Sequence, residues 1–223
     1  MHNPVFSRSV VLLLLAAAVS VSAACKTAAG GSSSGGATAI LQPGAPGQGT
    51  KTITPAQATD LSKVQATAAD VKFMQGMIGH HAQAVEMVDL LNQNSTNPDM
   101  KRLGLRIKVS QDDEMNMMRK WLADRGQEIP GPHAHHMPGG MMPGMLSDEE
   151  MSELAAAKGK EFDRLFLRGM IKHHGGAITM VDDLFNTPGA AQEGGIFGFA
   201  SDVISDQKME IDRMGAMLRE IEK

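Results

Sequence analysis

The sequence predicts an all-α protein: an antiparallel four-helix bundle assembled from two tandem helical hairpins. Three observations predict it, namely a long segment that recurs at a fixed spacing, apolar residues at the helical period, and a near absence of strand patterning. GMIGHHAQAVEMV begins at Gly76 and returns as GMIKHHGGAITMV at Gly169. The same spacing pairs Asp70 with Asp163, Phe73 with Phe166, His80 with His173, His81 with His174, Met87 with Met180 and Asp89 with Asp182. A lone helical hairpin cannot bury its apolar stripe, so two copies are expected to pack face to face.

Taken in chain order, residues 1–24 read as an export signal, with Arg8, an apolar run from Val10 to Val21 too short to span a membrane as a helix, and small residues at Ser22, Ala23 and Ala24. Cys25 follows at once and is the only cysteine, which excludes an intramolecular disulfide and a Cys-based zinc site. Ser-Ala-Ala-Cys resembles the lipobox of bacterial lipoproteins, although Ser22 stands where that group prefers Leu; plain cleavage after Ala23 is the alternative. The resemblance implies a lipidated Cys25 and an exported lipoprotein, anchored on the outer side of the bacterial cytoplasmic membrane or held in the periplasm. Residues 25–53 are then a flexible tether, since Gly, Ser, Ala, Pro and Thr dominate it and supply no core.

The hairpins are expected over 54–125 and 147–223. Thr54-x-x-Gln57 and Ser147-x-x-Glu150 are capping-box signatures placed to open them. Within the first, Asn97-Pro98 supplies an N-cap and a Pro at the first helical position for the returning helix. The returning helices also recur: Gln111, Glu114 and Met118 correspond to Gln207, Glu210 and Met214, the extra spacing being taken up in the connecting loops. Residues 73, 77, 80, 84, 87 and 91 share one helical face, as do 166, 170, 173, 177, 180 and 184, which places His80 and His173 on the faces that meet. His81 and His174 are rotated from them by about 100° and are expected at the edge of the same cavity.

Composition narrows the function. A formal net charge of −4 over 223 residues, without a basic block, leaves no electrostatic footprint for nucleic acid. Aromatic residues make up 4%, with no Tyr and one Trp, while Met reaches 18, so the core must draw on methionine.

In each copy the first helix presents Met, two His and Met: Met77, His80, His81 and Met87, then Met170, His173, His174 and Met180. The second helix adds Glu114 and Met118, or Glu210 and Met214. Thioether with imidazole is a soft donor set suited to Cu(I), and imidazole with carboxylate also accepts Cu(II) or Zn. Glu114 and Glu210 are either ligands or acceptors of an imidazole N–H that fix its tautomer; both roles stay open. A methionine stripe at helical spacing is ordinary core, and for Met77, Met87 and their counterparts taken alone packing is the better reading. Adjacent histidines that recur with an acidic residue on the partner helix favour metal binding over structural hydrogen bonding.

Between the hairpins lies the loop 126–146, which contains GPHAHHMPGGMMPGM with His133, His135, His136, Met137, Met141, Met142 and Met145. Pro and Gly forbid a regular helix there, so these side chains are expected to have no core to fill and to capture metal through weak, exchangeable contacts. Apart from His2, every histidine lies in one of three clusters.

The pattern F-x-x-x-M-I-x-HH-x-x-A-x-x-M, followed by Q-x-x-E-I/M-x-x-M, resembles the DUF305 family of exported bacterial proteins over roughly residues 54–223. That resemblance implies a ferritin-like four-helix bundle and a link to copper handling, with the motif His and Met residues as candidate ligands. The combined expectation is an exported protein that binds copper as Cu(I) and buffers, sequesters or passes it to a copper-delivery partner. One alternative is a metal-free helical interaction module at the cell surface. Another is a ferritin-like di-iron oxidoreductase, against which no histidine has Glu three residues before it and H-E-x-x-H is absent. No Ser-His-Asp order or cysteine nucleophile is recognised, so no catalytic activity is expected.

Overall fold

The computed structural model describes residues 39–43, 49–60, 64–131 and 141–223, divided into one unit that ends at Thr59 and another that begins at Asp60. The signal segment 1–24, Cys25, His133, His135, His136 and Met137 lie outside the described residues.

The first unit differs from the expected tether. Ile40 faces Ile53 and Gln42 faces Lys51 across an antiparallel pair of strands, β1 (Ile40–Gln42) and β2 (Lys51–Ile53). Pro43 offers no N–H to continue the ladder. Thr54 and Gln57 do form a capping box, but it opens only the single turn α1 (Pro55–Ala58), which buries no residue. A capping box satisfies the first orphan N–H groups and no more; propagation needs an apolar face, and none follows Ala58.

The second unit contains α2 (Ala68–Asn94), α3 (Pro98–Ala123), α4 (Asp148–Ala156), α5 (Gly159–Asn186) and α6 (Gly194–Ile221). The first hairpin therefore starts not at Thr54 but at a second capping box, Thr67 with Asp70. In the other hairpin the Ser147–Glu150 box opens the short α4, and Gly159, at φ +57°, separates it from the long α5. Asn97 caps α3 and Pro98 occupies its first turn, as the sequence predicts. Among the described residues no helix is long and apolar enough to cross a membrane.

Helix α2 packs on α3, α5 on α6, and α2 against α5, which joins the two hairpins. Two apolar clusters fill the bundle. One gathers Phe73 and Met77 from the start of α2 with Val181 and Leu184 from the end of α5; the other gathers Met87 and Leu91 from the end of α2 with Phe162 and Phe166 from the start of α5. The two central helices are thus antiparallel. Between the clusters runs a buried polar layer of His80, His81, Gln83, Gln111, Glu114, His173, His174 and Gln207.

Long-range polar ties fix how the hairpins meet. Asp70 accepts from Thr67 N–H through one carboxylate oxygen and from Ala191 N–H, at 2.7 Å, through the other. Glu193 makes no cap bond for α6; it accepts instead from Trp121 Nε1 at 3.1 Å and from Arg125 at 2.8 Å, while the Arg125 guanidinium lies 4.1 Å from the Trp121 ring centre.

Candidate metal centre

The predicted inward faces are inward. Phe73, Met77, His80, Ala84, Met87 and Leu91 are buried, as are Phe166, Met170, His173, Ala177 and Leu184, with Met180 half-buried. His80 and His173 meet where α2 crosses α5, their ring centres 3.8 Å apart and the planes tilted by 39°. His81 and His174 are buried as well, each turned toward the returning helix of its own hairpin rather than left at an edge.

Each imidazole is anchored through the same atom. His80 Nε2–H donates to Pro143 O at 3.0 Å, and His173 Nε2–H donates to His80 O at 3.0 Å. His81 Nε2–H donates to Glu114 Oε2 and His174 Nε2–H to Glu210 Oε2, both at 2.5 Å. Glu114 and Glu210 therefore act as tautomer-fixing acceptors, the second of the two roles the sequence leaves open. His80 and His173, whose Nε2–H bonds to carbonyls fix the tautomer, then hold a lone pair at Nδ1 when neutral. All four Nδ1 atoms are buried and none has a hydrogen-bond partner.

An unmet buried acceptor costs about 1–3 kcal/mol, so an unpartnered Nδ1 lone pair calls for a partner that accepts it. A metal ion meets that description. Among the described residues no group of three or more His, Cys, Asp or Glu side chains is arranged to hold one. The buried layer offers the four imidazole nitrogens and the unpartnered Gln111 Oε1, with methionine thioethers in the flanking clusters; imidazole and thioether suit a soft ion.

The end of the connecting loop closes over this layer. Gln83 grips Leu146 at both backbone groups, donating to its O at 2.9 Å and accepting from its N–H at 2.8 Å. Pro143 and Gly144 lie directly against α5 at Gly176, where an added Cβ would sit 1.9 Å from Pro143 O. Residues 143–146 thus form a strap that holds His80 in its tautomer.

The strap corrects one expectation from the sequence. Met145 is 2% exposed, so this loop methionine does have a core to fill; Met142 is half-buried and Met141, at 59% exposure, is in solvent. Of the helical methionines, Met77 and Met118 belong to one apolar cluster and Met87, Met170 and Met214 to the other, while Met180 packs against the first. Gln83 and Pro143 O were not singled out from sequence; Gly176 is expected from sequence to allow close approach of a helix, and what approaches it is the loop backbone at Pro143. One signal was available: the copies agree around the histidines but read Ala82-Gln83 in one and Gly175-Gly176 in the other, which marks a face where the two halves meet different neighbours.

Comparison with known proteins agrees with this architecture. The family model described as "Domain of unknown function (DUF305)" matches residues 70–218. The chain belongs to the DUF305 family. A DUF305 fragment from Deinococcus radiodurans has a crystal structure that is 31% identical, covering 70% of this chain and 98% of its own, with a TM-score of 0.61. A Streptomyces coelicolor structure, named as a secreted DUF305 protein, is 30% identical over 69% of this chain and 93% of its own, with a TM-score of 0.61. CopM in its Cu(II)-bound form is 29% identical over 68% of this chain and 96% of its own, with a TM-score of 0.56. A curated relative, uncharacterized protein L153 of Acanthamoeba polyphaga mimivirus, is 33% identical over 63 residues, 28% of this chain; the match spans 41% of that protein's length.

In this DUF305 chain, burial together with the neighbouring His81 imidazole lowers the His80 pKa to about 3. Burial, then His80, pushes His173 well below the ordinary imidazole range. Both are neutral in the fold, whereas the unfolded chain binds a proton at each near 6.5. Folded protein then holds fewer protons, so stability is complete above that value and falls as the pH drops toward 3, by up to about 1.4 kcal/mol per pH unit for each histidine. Denaturant unfolding of the wild-type chain and of His80→Gln/His173→Gln from neutral pH down to just above the carboxylate range isolates the two imidazoles by difference. The wild-type midpoint is expected to fall more steeply than the variant's; parallel profiles would mean that the two rings add no pH dependence.

Proposed function

We propose that this DUF305 protein is an exported copper-binding protein that buffers copper, or passes it to a delivery partner, with no reaction of its own. The observation that carries the reading is the set of four buried imidazoles, each anchored through Nε2 and each holding an unpartnered Nδ1. Cu(I) is the favoured cargo because methionines flank the four imidazoles in both apolar clusters, and imidazole with thioether is a soft donor set. CopM, which has been crystallised with Cu(I), Cu(II) and Ag, shares the fold at 26–29% identity and supports the choice of metal class. Export agrees with the signal-like first 24 residues and with the secreted relative; attachment through Cys25 belongs to the same proposal.

Titration of the full chain with Cu(I) under reductant, and separately with Cu(II) and Zn, tests it. Wild type is expected to take up Cu(I) most tightly. Glu114→Gln with Glu210→Gln keeps an acceptor oxygen but weakens the hold on His81 and His174, and should cost roughly 10–100-fold in copper affinity. Uptake of no copper by the wild-type chain would end the proposal, and an unchanged affinity in the double variant would remove the two carboxylates from it.

A further inference from the structure

The two hairpins are related by a pseudo-twofold through the contact of His80 with His173, and the packing over two glycines shows it. A Cβ on Gly76 would lie 3.5 Å from Met180 Cε, and a Cβ on Gly169 would lie 3.2 Å from Met87 Cε. Each methionine thus covers the glycine of the opposite helix. The loop end breaks the symmetry: residues 142–146 lay Met142 Sδ 3.5 Å from the Gly76 position but Leu146 Cδ2 3.1 Å from the Gly169 position. Exposure differs in the same sense, since Met142 and Met180 are half-buried whereas Met87 is sealed at 0% and Leu146 is buried.

We infer that Met142 and Met180 form a thioether pair at one end of the polar layer, a capture site for a soft monovalent ion through which metal enters the bundle from that side alone. The inference rests on the copper reading and adds a direction to it. Gly76 lies one helical turn from His80, and Met142 adjoins Pro143, whose carbonyl fixes the His80 tautomer. A captured ion is therefore handed toward His80 Nδ1. Met141, exposed and next in the chain, extends the thioether series into solvent. The pseudo-equivalent end offers one sealed thioether beside a leucine, which cannot ligate.

Titration of the full chain with Ag(I), a redox-silent monovalent probe, while methionine methyl resonances are followed by NMR, tests the pair. The Met142 and Met180 methyls are expected to shift with the first increments of Ag(I) and the Met87 methyl only later. Met142→Leu with Met180→Leu should lower the rate of Ag(I) uptake by roughly tenfold or more; Met100→Leu, in the apolar cluster at the other end, should leave that rate unchanged. Early movement of the Met87 methyl, or wild-type uptake kinetics in the Met142/Met180 variant, overturns the inference while copper binding stands. A wild-type chain that takes up no Ag(I) overturns both.

Discussion

Replacing His80 and His173 together with glutamine is expected to remove copper binding while leaving the bundle folded. The glutamine amide nitrogen reaches about as far as imidazole Nε2 and still donates, so the bonds to Pro143 O and to the carbonyl of residue 80 can be kept. What glutamine lacks is a lone pair at the Nδ1 position. If those lone pairs hold the metal, affinity should fall by more than roughly 100-fold, the upper end of what loss of a supporting partner alone would cost. The unfolding midpoint should move little. Alanine at the same positions separates the two roles differently: it leaves Pro143 O without its donor, at about 1–3 kcal/mol, and opens a cavity between α2 and α5. Copper titration and denaturant unfolding on the same two variants give the comparison. A glutamine variant that binds copper as tightly as wild type would show the imidazoles to be structural.

Gly176→Ala should be among the most destabilising single substitutions in the chain, and its neighbour Gly175→Ala should stabilise. At residue 176 the new methyl would lie 1.9 Å from Pro143 O and 2.6 Å from Gly144 Cα. Both are backbone, so no side chain can swing aside, and the strap must lift. Overpacking of about 1–3 kcal/mol adds to the loss of the His80–Pro143 bond, for a total of roughly 2–6 kcal/mol. At residue 175 an added Cβ meets nothing within 4 Å, so the helix gains the ordinary preference for alanine, about 1 kcal/mol. Thermal unfolding should place the two variants on opposite sides of wild type. A Gly176→Ala protein as stable as wild type would mean that residues 143–146 do not close on α5.

The fold was legible because the repeated face is written in side chains: the apolar positions of α2 and α5, and the Asn97-Pro98 start of α3, lie where periodicity and capping put them. The boundaries were less so. Thr54 carries the same signature as Thr67, and only the apolar face that follows Thr67 turns a capped turn into a long helix. At the site, the pairing of His81 with Glu114 and of His174 with Glu210 could be anticipated from residues that recur together. The strap could not. Its decisive group is the carbonyl of Pro143, which every residue possesses, and its docking groove is a missing side chain at Gly176. For the same reason a Gly- and Pro-rich loop gave no hint that Met145 is packed.

The split of the bundle into two apolar clusters bears on how the molecule breathes. Phe73 and Leu91 belong to one helix but to separate blocks of buried surface, with the polar layer between them. Cooperative opening follows such blocks, and the free energy of opening one is less than that of unfolding the whole. An ion held in that layer, as proposed, would therefore exchange with water through a sub-global fluctuation of one end while the other end keeps the helices in register.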